Sequence, residues 1–168
     1  MSGLRPILSA LSREGARFVV IGGVALSLQG SSYITEDIDL AYERTRENSK
    51  RVASALRQFS PRPRGFPEGV PFVFDDQTLM SSEVLTLSTT VGDLDLLASV
   101  KGIGNYAEVE AASDTVQYGD LRVKILSVEA LIRAKRAAGR PKDQPGLIEL
   151  EAIRQTRMHA QREGTPRE

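Results

Sequence analysis

Residues Phe18-Val19-Val20-Ile21-Gly22-Gly23 and, a little further on, Thr35-Glu36-Asp37-Ile38-Asp39-Leu40 decide the architecture of this chain. The first is a β-branched run stopped by two glycines, after which Val24, Leu26 and Leu28 lead to Gly30. That pattern reads as a strand, a tight turn and a short helix. The second stretch alternates, with Asp37, Asp39 and Ala41 pointing one way and Ile38, Leu40 and Tyr42 the other. It predicts a half-buried strand with an acidic face.

Working outward, Leu4, Ile7, Leu8 and Leu11 have helical spacing that stops at Gly15, and Val52, Leu56 and Phe59 predict a helix within 44–59. Pro61, Pro63, Gly65, Pro67 and Pro71, with Arg62 and Arg64 among them, predict a loop or irregular crossing. Val84 to Leu87 and Leu94 to Leu97 predict a strand pair turned near Gly92, with Asp93 and Asp95 on a second acidic face. A short helix from Tyr106 to Ala112 and a hairpin from Val116 to Ile125, turned at Gly119-Asp120, come next. Ser127 caps a helix over Val128 to Ala138 that ends at Gly139, and a last helix runs from Pro145 to His159. The expected fold class is α+β, a mixed β-sheet covered by helices. One domain is expected over residues 1–160, with a frayed tail at 161–168.

Composition removes several chemistries. The 168 residues carry no net charge, no cysteine and one histidine. Thiol catalysis, disulfides, thiolate zinc sites and histidine-rich metal sites are excluded, and no bulk field draws nucleic acid or an acidic membrane. The longest apolar stretch, Phe18 to Leu28, is broken by glycines and too short to span a bilayer, and the N-terminus lacks a signal-peptide pattern. A soluble, cytoplasmic protein with no membrane partner is expected.

Asp37 and Asp39 stand side by side on one strand face, so their repulsion must be offset. A solvated face would do this, and so would a divalent cation. The second acidic face at Asp93 and Asp95 favours the cation, because a third carboxylate can then meet the first two across a sheet. Oxygen ligands of this kind select magnesium or manganese and suit phosphoryl or nucleotidyl transfer. Gly22 and Gly23 allow backbone to approach a phosphate, or form an ordinary turn. No GxGxxG pattern and no P-loop lysine is present. Arg51, Arg57, Arg62 and Arg64 read as solvated charge, with RNA-backbone contact as the alternative. Phe72 and Phe74 read as packing, and His159 as a solvated side chain.

Together, Gly22-Gly23, Ala25, Gly30, Thr35-Glu36-Asp37-Ile38-Asp39-Leu40 and Asp95-Leu96-Leu97 resemble the minimal nucleotidyltransferases of the polymerase-β-like superfamily. The resemblance continues through Gly102-Ile103-Gly104, Ser127-Val128-Glu129-Ala130-Leu131-Ile132, Lys135 and Arg140-Pro141-Lys142-Asp143, and so spans most of the chain. It is strongest to the nucleotidyltransferase-like toxins of abortive-infection toxin–antitoxin systems.

The resemblance implies catalytic metal ligands at Asp37, Asp39 and a third aspartate, Asp95, with Asp93 the alternative. It implies a nucleoside triphosphate, such as ATP, held near Gly22, Gly23 and Thr35. Lys135 and Lys142, with Arg140, would neutralise its phosphates. The implied reaction moves a nucleoside monophosphate to an acceptor hydroxyl on an RNA end, a protein or a small molecule, releasing pyrophosphate with Mg2+ or Mn2+. A reading from another class is a nucleotide-binding interaction module that lacks transfer and pairs with a cognate antitoxin. Two positions depart from the pattern: Tyr33 stands where many relatives have arginine, and Gly146 where an acidic residue is common.

Overall fold

A computed structural model describes residues 3–164. In chain order its strands are β1 (Phe18–Ile21), β2 (Ile38–Tyr42), β3 (Arg62–Pro63), β4 (Val84–Thr89), β5 (Gly92–Leu97), β6 (Ser99–Val100), β7 (Gly104–Asn105), β8 (Ser113–Tyr118) and β9 (Leu121–Leu126). Strands β6 and β7 form a small separate ribbon. The others make one seven-stranded sheet in the order β3-β4-β5-β2-β1-β9-β8. Pairs β2–β5 and β1–β9 are parallel and the rest antiparallel, so the sheet is mixed and the fold is α+β, as expected.

The α-helices are α1 (Leu4–Arg13), α2 (Gly22–Leu28), α3 (Arg46–Leu56), α4 (Asp76–Met80), α5 (Tyr106–Ala111), α6 (Val128–Ala138) and α7 (Gln144–Glu163). Local chemistry sets their ends. Thr45 accepts from the Asn48 amide to start α3, and Ser127 accepts from the Ala130 amide to start α6. Asn105 and Glu108 form a reciprocal capping box on α5. Gly139, at φ +62°, closes α6 in the left-handed conformation.

Helix α3 packs against both α1 and α4. Tyr42, on the face of β2 opposite Asp39, donates its hydroxyl to Leu79 O of α4 at 2.7 Å, which ties that helical layer to the centre of the sheet. Helix α6 contacts α2 and α7. Among the described residues no helix is long and apolar enough to cross a membrane.

Four details differ from the sequence reading. Strand β2 is not half-buried: Ala41, on the acidic face, is fully covered, and only Asp39 along the strand keeps partial exposure. The proline-rich run is not wholly irregular, since Arg62 and Pro63 pair with Ser88 and Leu87 of β4. This is the sheet edge, where proline's missing N–H leaves no ladder bond unmade. Helix α4 was not expected; it is one short turn capped by Asp75, whose carboxylate accepts from the Thr78 amide at 2.9 Å. Helix α7 continues past His159 to Glu163, so 161–163 are helical, Gly164 caps the helix, and the rest of the expected tail, 165–168, lies outside the described residues.

Leu40 is fully buried in the middle of the sheet. Leu40→Ala should lower the unfolding free energy by about 3 kcal/mol through lost burial and a residual cavity. Urea unfolding followed by circular dichroism checks this: the midpoint falls while the slope stays unchanged.

Candidate active site

Strand register assembles most of the site. Strand β2 runs parallel to β5 with Asp39 opposite Asp95, and antiparallel to β1 with Asp39 opposite Ile21. Neighbouring strands lie about 4.8 Å apart, so Asp39 stands between Asp95 and the turn that follows Ile21. Asp37 immediately precedes β2 and is exposed. The three aspartates line one cleft of about 440 Å³.

The two glycines of the turn have no room for side chains. Gly22 has φ +63°, and a β-carbon there would fall on Oδ2 of Asp39. One on Gly23 would lie 2.9 Å from Thr35 Cγ2 and 3.0 Å from Tyr33 Cε1. The turn is therefore a close approach of backbone to carboxylate, and Gly22, Gly23, Thr35 and Tyr33 all line the cleft.

The wall opposite β5 is basic. Lys135, Arg140 and Lys142 line the cleft from α6 and the turn after it. Lys135 Nζ lies 3.0 Å from Asp143 Oδ1, and Arg140 Nε lies 2.7 Å from Asp143 Oδ2. Burial pushes the Asp143 carboxyl up, but the hydrogen bonds from Arg140 and Lys135 outweigh it and hold the group below the usual carboxylate range. Among the described residues Lys142 has no carboxylate within ion-pair distance. Gly146 is buried against Leu26 and Lys135, where a β-carbon would come within 3.3 Å of the lysine Cε; an acidic side chain at this position would crowd that lysine.

Two side chains that sequence reasoning did not connect to the site make contact with it or with the segment leading into it, without lining the cleft. Arg64, read as solvated charge, donates from Nη2 to Asp95 Oδ1 at 3.0 Å and sets Nε 3.3 Å from Asp93 Oδ2. Glu149 of α7 accepts from Ser31 Oγ, from Ser32 N at 3.1 Å and from Ser32 Oγ at 3.2 Å. It pins the segment that leads to Thr35 and Asp37. Alternation along β5 signals that Asp93 and Asp95 share a face, but nothing local in the sequence signals which cation meets them, or that Ser31 meets Glu149. Asp93, the alternative third carboxylate, pairs with Arg64 and is not part of the cleft lining.

Asp39 carries the strain of this arrangement. Burial first, then the carboxylates of Asp95 and Asp37, push its pKa up to about 6, while Arg140 and Lys135 act in the opposite direction. Asp95 is also raised, mainly by burial, with Arg64 opposing. A donor set of oxygens only, with Asp39 and Asp95 partly buried, fits a hard divalent cation in its chemistry. Its placement is less complete. Among the described residues no three acidic side chains are already gathered as a metal-holding group, and one oxygen of Asp95 is taken by Arg64.

Because the folded protein holds the Asp39 proton more tightly than the unfolded chain, ionising Asp39 costs stability. The cost is absent below the usual carboxylate range and complete above about pH 6. Asp39→Asn should therefore raise the thermal midpoint of the cation-free protein at about pH 7.5, by on the order of 5 °C. Differential scanning fluorimetry across pH should show the gain shrinking as pH falls from about 6 toward 4.

No protein-family model matches this chain, and no curated protein matches it in sequence. Solved structures do match in shape. The lincosamide antibiotic adenylyltransferase LnuA, bound to lincomycin, superposes with a TM-score of 0.61 at 17% identity, over 90% of this chain and 96% of that one. A Thermotoga maritima protein, for which nucleotidyl transfer is itself an inference, superposes at 0.59 and 18%, over 87% and 88%. ANT(2")-Ia in complex with adenylyl-2"-tobramycin gives 0.57 and 15%, over 96% and 97%. The chain thus has the fold of the minimal nucleotidyltransferases.

Proposed function

We propose that this protein is a nucleotidyltransferase that moves a nucleoside monophosphate from a nucleoside triphosphate to an acceptor hydroxyl. The observation that carries the reading is the in-register pairing of Asp39 with Asp95, with Asp37 beside them, facing a basic wall across one cleft.

In this reading Asp37, Asp39 and Asp95 hold Mg2+ or Mn2+, which would supply positive charge against the triphosphate and acidity to the acceptor hydroxyl. The remaining work falls to the chain. Gly22 and Gly23 let backbone approach the phosphates, and Thr35 closes that side of the cleft. Lys135 and Lys142 balance the charge of the departing pyrophosphate, with Arg140 and Asp143 fixing the direction of Lys135. Asp95, on the β5 side, orients the acceptor hydroxyl and takes its proton. The acceptor oxygen bonds to the α-phosphorus as the bond from that phosphorus to the bridging oxygen breaks, and pyrophosphate leaves. ATP is the first donor to test, since the matched LnuA is an adenylyltransferase. The acceptor is an RNA end, a protein or a small molecule. The second reading, a nucleotide-binding partner of an antitoxin without transfer, draws on Tyr33, a departure from the pattern that the sequence resembles, which lines the cleft.

The test is incubation of the protein with magnesium, cell extract and nucleotides labelled at the α- or γ-phosphate. Transfer of α-label alone is expected, reduced by about a hundredfold or more in Asp39→Asn. Binding of labelled nucleotide with no transferred label supports the interaction module. Transfer of γ-label contradicts the assignment.

Gly22→Ala should be equally damaging to transfer, because its methyl group displaces the Asp39 carboxylate. Gly30→Ala, whose β-carbon would meet nothing within 4 Å, lies outside the cleft and should retain at least about a tenth of wild-type activity despite its backbone strain. The same assay checks both.

A further inference from the structure

Arg64 follows the edge strand β3, and its amide donates to Thr86 O of β4 at 2.8 Å, extending that pairing by one residue. The side chain therefore leaves the sheet edge at a fixed height, level with Asp93 and Asp95 on β5. Its Nη2 binds Asp95 Oδ1 at 3.0 Å and its Nε lies 3.3 Å from Asp93 Oδ2. The loop behind it is closed on itself. Arg62 Nη2 donates to Val70 O at 2.7 Å and to Pro67 O at 3.3 Å, and its guanidinium lies over the Phe66 ring, which packs against Phe72. A planar guanidinium held by two carboxylates from a braced loop is an oriented charge rather than a freely solvated one.

Its position differs from that of the cations that line the cleft: Lys101 follows β6, and Lys135, Arg140 and Lys142 come from α6 and the turn after it. Among the described residues Arg64 is the cation that pairs with Asp95, the aspartate β5 contributes, and it does so from the β4 side. A divalent cation held jointly by Asp37, Asp39 and Asp95 would meet this charge directly.

We propose that Arg64 is a tethered counter-cation for the cation-free site: it occupies Asp95, is held in place by Asp93, and must yield that carboxylate before a divalent cation is bound by all three aspartates. This rests on the proposed reading of those aspartates as cation ligands. It gives Asp93 a part that differs from ligation, as the anchor that receives Arg64 when Asp95 is withdrawn. Free Mg2+ or Mn2+ then binds weakly. The cation arriving with a triphosphate, whose charge also engages the basic wall, competes better for Asp95. Arg64 is thus a positioning residue that makes occupation of the site depend on nucleotide.

The test measures Mn2+ binding by electron paramagnetic resonance, without acceptor and without turnover, in wild type, Arg64→Gln and Arg57→Gln. Arg57 serves as the bulk-charge control, since its charge acts on Asp75, away from the cleft. The Arg64 side chain is 37% exposed, so its replacement should leave the fold intact, which circular dichroism verifies. Arg64→Gln is expected to bind free Mn2+ about tenfold more tightly than wild type, with Arg57→Gln unchanged. The tightening produced by a non-hydrolysable triphosphate should be smaller in Arg64→Gln. In wild type, the ¹⁵N–¹H signal of the Arg64 Nε–H should shift on adding Mg2+ with the triphosphate and not with Mg2+ alone. Equal Mn2+ affinity in wild type and Arg64→Gln, or weaker binding in Arg64→Gln, overturns the proposal while leaving the aspartates as ligands. Absence of Mn2+ binding in all three proteins, with the triphosphate present, overturns both.

Discussion

Asp39 and Asp95 share a partly buried corner of the sheet, with the exposed Asp37 close enough to add to their repulsion, and the rest of the site depends on how that repulsion is met. The parallel register of β2 and β5 sets Asp39 against Asp95. The cost is visible in Asp39, whose pKa is pushed up to about 6 by burial and by its two neighbours. An interior builds such a cluster at a loss of stability unless a positive charge arrives to balance it.

The positive charge already present is divided between two sides. On one, Asp143 is buried and holds Lys135 and Arg140 toward the cleft, so the two cations are preorganised by an acid that itself stays ionised. On the other, Arg64 spans Asp93 and Asp95. The Gly22 turn sits beside Asp39 with no space for a side chain. Charge from two sides and close backbone approach at Gly22 thus bear on the carboxylates, while Val84, Leu97, Val100, Leu126 and Leu131 supply apolar lining. A polyanionic ligand that carries its own cation would relieve both sides together.

Much of this was legible in the residues. The β-branched run ending at Gly22-Gly23 read as strand, turn and helix, and the alternation from Asp37 placed Asp37 and Asp39 on one face. Those are local signals, set by the two-residue period of a strand and by glycine's tolerance of positive φ. Pairing of β2 with β5 is a long-range choice, and only the second acidic alternation at Asp93 and Asp95 hinted at it. Arg64 was misread because a stretch of prolines and glycines carries no periodicity, and the two-residue strand that aims it is too short to leave a pattern. Glu149 reaches Ser31 and Ser32 from the far end of the chain, so no spacing connects them. Ala41 was expected on the less buried, acidic face of a half-buried strand, because alternation alone does not show what packs over that face.

The account turns on whether the three aspartates act on one cation. A crystal structure with Mn2+ and a non-hydrolysable nucleoside triphosphate, with anomalous scattering to locate the metal, tests this most directly. The account predicts a manganese peak bonded to carboxylate oxygens of Asp37, Asp39 and Asp95 and to the triphosphate, with Arg64 released from Asp95. A triphosphate bound elsewhere, or a cleft in which Asp95 remains on Arg64 and the metal lies outside the reach of all three carboxylates, would contradict it.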